Sequence, residues 1–141
     1  MNLDEFKNIF NNCELVNNKI VINSDIDKTL EFIRDNYGFD MLKEIIAIDK
    51  KEKGIELIYR LYSVENEEEV LISTIVHNET KSVSKIFDSA VADEKEIYDL
   101  FGINFISNDE LERLYMPESW QGYPLKKDYT ENDERLSWNN E

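Results

Sequence analysis

The chain has 141 residues, enough for one domain with an ordinary hydrophobic core. A formal net charge of −15 argues against nucleic acid as a ligand, because phosphate binding needs Lys and Arg to displace counterions, and against direct adhesion to anionic lipid. One cysteine, Cys13, rules out an internal disulfide and fits a reducing compartment. No apolar run reaches the roughly 18 residues of a membrane span. Residues 1–12 contain Asp4 and Glu5 and lack the basic start of a secretory signal.

Residues 2–12 place Leu3, Phe6, Ile9 and Phe10 at helical spacing and predict a short amphipathic helix. Residues 14–22 are two β-rich pieces around Asn17-Asn18, a pairing that suits a hairpin turn. Ser24 offers an N-cap with Asp27 three residues on. Ile26, Leu30, Ile33 and Tyr37 then make the buried stripe of a helix that ends before Gly38. The period changes to two over residues 41–50, 55–63 and 69–76. The breaks at Lys53-Gly54 and residues 66–68 are short, which favours an antiparallel meander. In the middle run Ile55, Leu57, Tyr59 and Leu61 share one face, so a one-sided core covered by helices is expected. The predicted class is α+β: an antiparallel sheet, made of an N-terminal hairpin and a three-strand meander, covered by helices. An irregular C-terminal tail follows, with the domain boundary set at 1–105 and the tail at 106–141.

Little in this chain can do covalent chemistry. His77 is the only histidine and ends a predicted strand. The glycines are isolated, and no nucleophile motif or phosphate loop is present. What remains is carboxylates on the predicted helix over residues 94–101, stopped by Gly102. Asp93, Glu96 and Asp99 fall at i, i+3 and i+6, and Glu94 lies on another side. They could be a solvated face, the counterpart of a partner's Lys or Arg, a hard-metal site for Mg or Ca, or a general acid/base pair.

Two stretches carry a resemblance. The first is EKEIYDLFGINF and the second LERLYMPESWQGYPLKKDY. Together they resemble the signature of the 30-kDa subunit family of respiratory NADH dehydrogenase (complex I), which includes the corresponding small subunit of energy-converting membrane-bound [NiFe] hydrogenases. Glu94, Lys95 and Glu96 stand where that signature begins. Tyr98, Asp99, Leu100, Phe101 and Gly102 match its aromatic-Asp-Leu-Phe-Gly core. Trp120, Gly122, Pro124, Leu125, Lys126, Lys127, Asp128 and Tyr129 match its later run. The match covers roughly a quarter of the chain. It departs from the family at Asn108 and Asp109, where His-Pro is usual, at Tyr123, where a histidine is usual, and at Thr130, where a proline often follows. The short form of the chain looks more like the hydrogenase branch.

The resemblance implies a subunit without a redox centre, with iron–sulfur clusters and NiFe or quinone sites on its partners. It implies packing on the large hydrogenase-like subunit near the small iron–sulfur subunit. The chain would then be cytoplasmic, peripheral on the inner face of the cell membrane, with no direct membrane insertion. Expected interface residues are Glu94, Glu96, Asp99, Arg113, Trp120, Tyr123, Pro124, Leu125, Lys126, Lys127, Asp128 and Tyr129, with Gly102 and Gly122 structural. Pro117 and Pro124 keep the tail extended, while Tyr123, Leu125 and Tyr129 are apolar enough to anchor it on a partner. The alternatives are a stand-alone acidic adaptor that kept the fold, and a hydrolase or lyase working through Asp93, Glu96 and Asp99.

Overall fold

A computed structural model describes residues 8, 13–16, 18–23 and 25–108. The expected helix over 2–12 lies outside the described residues except for Asn8, which is helical. The first hairpin joins β1 (Cys13–Val16) to β2 (Lys19–Ile22), with Val16 opposite Lys19 and Asn18 at φ 66° in the turn. An asparagine tolerates that left-handed conformation better than most residues.

Helix α1 (Ile26–Tyr37) follows, and its N-cap is Asp25, not Ser24. Asp25 makes no side-chain cap bond. Its carbonyl instead accepts both the Thr29 N–H, at 3.1 Å, and the Thr29 hydroxyl, at 2.8 Å. Asp27 therefore stands at the second helical position and cannot complete a capping box. Gly38 ends the helix at φ 75°, with its N–H bonded to the Arg34 carbonyl.

The meander is β3 (Met41–Asp49), β4 (Ile55–Ser63) and β5 (Glu68–Val76), each pair antiparallel. Five strands form one sheet in the order β1-β2-β5-β4-β3. The hairpin docks on β5 through a parallel pairing of β2, Ile20 opposite Ile72. This leaves β3 at one edge of the sheet. A two-stranded parallel pair, β6 (Glu79–Lys81) with β7 (Asn104–Ile106), was not expected from the sequence. Between them runs α2 (Ala90–Phe101), which begins four residues before the expected start at 94 and ends at Gly102 with φ 79°. The fold continues past 105 to Asn108, which is buried.

One face of the sheet holds the core. Leu57, Tyr59 and Leu61 of β4 are fully buried, against Leu30 and Ile33 of α1 and Ile97 and Phe101 of α2. Fully burying such a side chain contributes about 1.5–3 kcal/mol, so this one strand supplies a large share of the net stability. The opposite face is not simply solvated. Glu56 and Ile58 are buried there, on a strand flanked on both sides by β5 and β3.

Candidate interface around helix α2

Helix α2 buries Ala90, Glu94, Ile97 and Phe101, a stripe at i, i+4, i+7 and i+11. Glu94 is thus a carboxylate at a core position, with no exposed surface at all. Three donors meet it. The Ser82 hydroxyl donates to Oε1, the Asn108 amide donates to Oε1 at 2.9 Å, and the Val83 N–H donates to Oε2 at 2.8 Å. Ser82 in turn accepts the Ser84 N–H at 3.0 Å. One side chain thereby ties the turn after β6, the end of β7 and helix α2 together. Burial pushes the Glu94 carboxyl above its usual range, and the nearby Asp93 adds to this. The three hydrogen bonds work the other way without cancelling it. Behind it, the buried Tyr59 phenol is also pushed up, by burial and by the charge of Glu94.

The N-terminal turn of α2 is fastened to the edge strand. Ser89 donates its hydroxyl to the Leu42 carbonyl at 2.9 Å, and Asp93 Oδ2 accepts the Ile45 N–H at 3.1 Å. Asp93 is half-buried. Burial raises its carboxyl, the Ile45 bond lowers it and Glu44 raises it again, for a net upward displacement. Glu96 is exposed, whereas Asp99 is buried although helical spacing carries it away from the core stripe.

The four carboxylates of one short helix therefore sit in different surroundings. Glu94 is an internal cross-link: expected on a partner-facing surface, it has no exposed surface within this chain. Asp99 is likewise buried, and only Glu96 of the three described interface residues is open. Of the spaced set Asp93, Glu96 and Asp99, Glu96 is exposed, Asp93 is half-buried and Asp99 is buried. The three do not form a metal cluster, since no group of three or more such ligands converges among the described residues. Arg113, Trp120, Gly122, Tyr123, Pro124, Leu125, Lys126, Lys127, Asp128 and Tyr129 lie outside the described residues.

A second buried carboxylate was missed in the sequence. Glu56 of β4, on the outer sheet face, accepts the Lys19 ammonium at 2.7 Å and the Ser73 hydroxyl at 2.6 Å, with Lys50 at 3.6 Å. Burial works to raise its carboxyl, but the Lys19 and Ser73 hydrogen bonds and the two lysine charges together hold it below the ordinary value. Glu94 could have been found from its position in an apolar stripe. Glu56 gave only the weaker sign of a charge in the middle of the most apolar strand.

The family model for the 30 Kd subunit of respiratory-chain NADH dehydrogenase matches residues 20–135, most of the chain. The chain belongs to this 30-kDa subunit family. It is 34% identical over 111 residues to the C subunit of the NADH-quinone oxidoreductase of Trichlorobacter lovleyi, an alignment covering 74% of this chain and 68% of that protein. Against the chloroplastic J subunit of the NAD(P)H-quinone oxidoreductase of Lemna minor it is 40% identical over 101 residues, 66% of this chain and 64% of that one. Against the C/D subunit of the NADH-quinone oxidoreductase of Phocaeicola vulgatus it is 35% identical over 113 residues, covering 77% of this chain but 22% of the relative. The chain thus spans from about a fifth to about two thirds of the length of these relatives. Membership of a family of complex subunits implies protein partners. No helix among the described residues is long and apolar enough to cross a membrane.

Proposed function

We propose that the chain is a non-catalytic assembly subunit of a membrane-associated multisubunit oxidoreductase, bracing the large subunit in the cytoplasmic electron-transfer arm. The observation that carries this reading is the family match over residues 20–135, together with the fate of the signature carboxylates. Glu94 is spent on three internal hydrogen bonds and Asp93 on holding the edge strand. The relatives' names favour a quinone-reducing complex over a hydrogenase. On this reading the redox groups belong to partners: iron–sulfur clusters, and a quinone or NiFe site on the large subunit. One cysteine and one histidine in the whole sequence support that division.

The test is purification of the tagged chain from native membranes in mild detergent, with mass spectrometry of what comes with it. The expected companions are a large hydrogenase-like subunit and a small iron–sulfur subunit. Their cofactors and their activity with quinone or with hydrogen then separate the two complex types. Turnover per assembled complex should be unchanged in Asp93→Asn and Glu94→Gln. Recovery of the chain alone at native abundance, or loss of turnover in fully assembled Asp93→Asn complex, would overturn the reading.

A further inference from the structure

Strand β3 is an edge strand, and among the described residues only part of its edge is covered. The pairing of Lys50 with Gly54, N–H to carbonyl at 2.8 Å, sets the alternation along β3. Ile46 and Ile48 bond to β4, whereas Ile45 and Ala47 direct their N–H and C=O groups outward. Helix α2 covers the first part of this edge by taking the Leu42 carbonyl and the Ile45 N–H. Beyond that point it stops. The Ile45 carbonyl and both polar groups of Ala47 face outward with no hydrogen bond to another described residue.

Beside this open segment lies a cavity of about 300 Å³ between β3 and α2. Its floor is apolar, with Ile97, Leu100 and Phe101, and its rim carries Glu44, Asp93 and Glu96. Glu44 is paired with Arg60 at 3.1 Å, but no cation is paired with Asp93 or Glu96 among the described residues. On the outer face, Ile46 and Ile48 are more than a third exposed. An unpaired edge next to exposed isoleucines invites strand addition, and no charge of its own points outward along this segment to block it.

We propose that this edge and cavity receive an extended segment of a partner subunit, added as a further strand beside β3, with a Lys or Arg set between Asp93 and Glu96 and an apolar neighbour on Ile97 and Leu100. The backbone of Ile45 and Ala47 gives the added strand its register, and the period of two sends alternate side chains into the cavity and over Ile46 and Ile48. Charge selects the occupant. An acidic rim on a chain of net charge −15 repels acidic segments, its own included, and attracts a basic one. The inference rests on the proposed role as an assembly subunit and adds where one partner contact is made.

The test uses the full chain in its assembled complex. A photo-crosslinking amino acid replaces Ile48, and the crosslinked peptides are sequenced. The expected product joins position 48 to a segment of another subunit that alternates apolar residues with Lys or Arg. Crosslinking to residues 109–141 of the same chain, to a second copy, or to nothing while the chain is in the complex would overturn the inference. In parallel, Glu96→Lys and Ala47→Pro are expected to lower the amount of chain in the complex about tenfold or more, with Glu96→Gln between them and the native chain. Glu96 is exposed, and the Ala47 N–H lies outside the ladder, so neither change removes a ladder hydrogen bond, although Ala47 does pack on the core. Should Ala47→Pro fail to fold, Glu96→Lys alone decides. Normal assembly of Glu96→Lys removes this contact but leaves the assembly role standing, whereas a native chain that never enters a complex removes both.

Discussion

Replacing Glu94 by glutamine keeps the side chain's volume and its burial but changes what it can accept. In the native chain Oε1 receives the Ser82 hydroxyl and the Asn108 amide, and Oε2 receives the Val83 N–H. Glutamine has one acceptor oxygen. Its amide nitrogen must face either Val83 or the Ser82–Asn108 pair, so one donor meets another in a site without exposure. Leaving a buried donor unsatisfied costs about 1–3 kcal/mol. Glutamine also removes the cost of burying a carboxylate, and that part depends on pH. Burial holds the folded-state carboxyl above the ordinary 4.5. From 4.5 up to that raised value, the folded chain therefore binds more protons at this site than the unfolded chain. The stability Glu94 contributes is greatest below 4.5 and falls as pH rises through the window. Glutamine does not titrate. The gap between native chain and Glu94→Gln should be widest at the acid end and shrink as pH rises. With a urea slope near 2 kcal/mol per molar, a gap of about 2 kcal/mol displaces the midpoint by about 1 M. Urea unfolding followed by circular dichroism, from pH 4.5 to about 8, measures it. A gap that widens with rising pH, or a variant more stable than the native chain throughout, would refute the assigned network.

Lys19→Met leaves Glu56 with Ser73 and the more distant Lys50. Breaking a fully buried pair costs about 3–5 kcal/mol, and because Lys19 is a fifth exposed the expected loss is nearer about 2 kcal/mol. The Glu56 carboxyl lies below its ordinary value, so the stability it contributes is present above 4.5 and lost as pH falls through the lowered folded value. The acid-unfolding midpoint should accordingly move to higher pH in Lys19→Met, and an unchanged midpoint would count against the pair. Gly102 holds φ 79° at the end of α2, and Gly102→Val should cost about 1 kcal/mol or more, read as a lower melting temperature. Gly54→Ala should cost more than a strained φ alone. At φ 106° a new Cβ would stand 2.6 Å from the Val76 carbonyl oxygen, and equal melting temperatures would show that the hairpin end yields freely.

The local parts of this fold were legible because their causes are local. Alternation along Ile55–Ser63 fixed that strand and its buried face, and Gly38 and Gly102 marked both helix ends, since a left-handed φ suits glycine wherever the chain goes next. The 30-kDa family signature was equally readable, because it is a matter of residue order. What a residue touches across the fold was not. The i, i+3, i+6 spacing grouped Asp93, Glu96 and Asp99, but which side of α2 turns inward is set by the sheet it packs on, and that rotation buries Glu94. Its donors come from positions 82, 83 and 108, and no spacing along the helix points to them. The start of α1 moved from Ser24 to Asp25 because the Asp25 carbonyl, not a capping side chain, closes the first turn. The parallel docking of β2 on β5 and the small β6–β7 pair likewise join segments far apart in sequence. Hydrogen bonding of remote strands leaves no period in either one, so only the folded chain decides it.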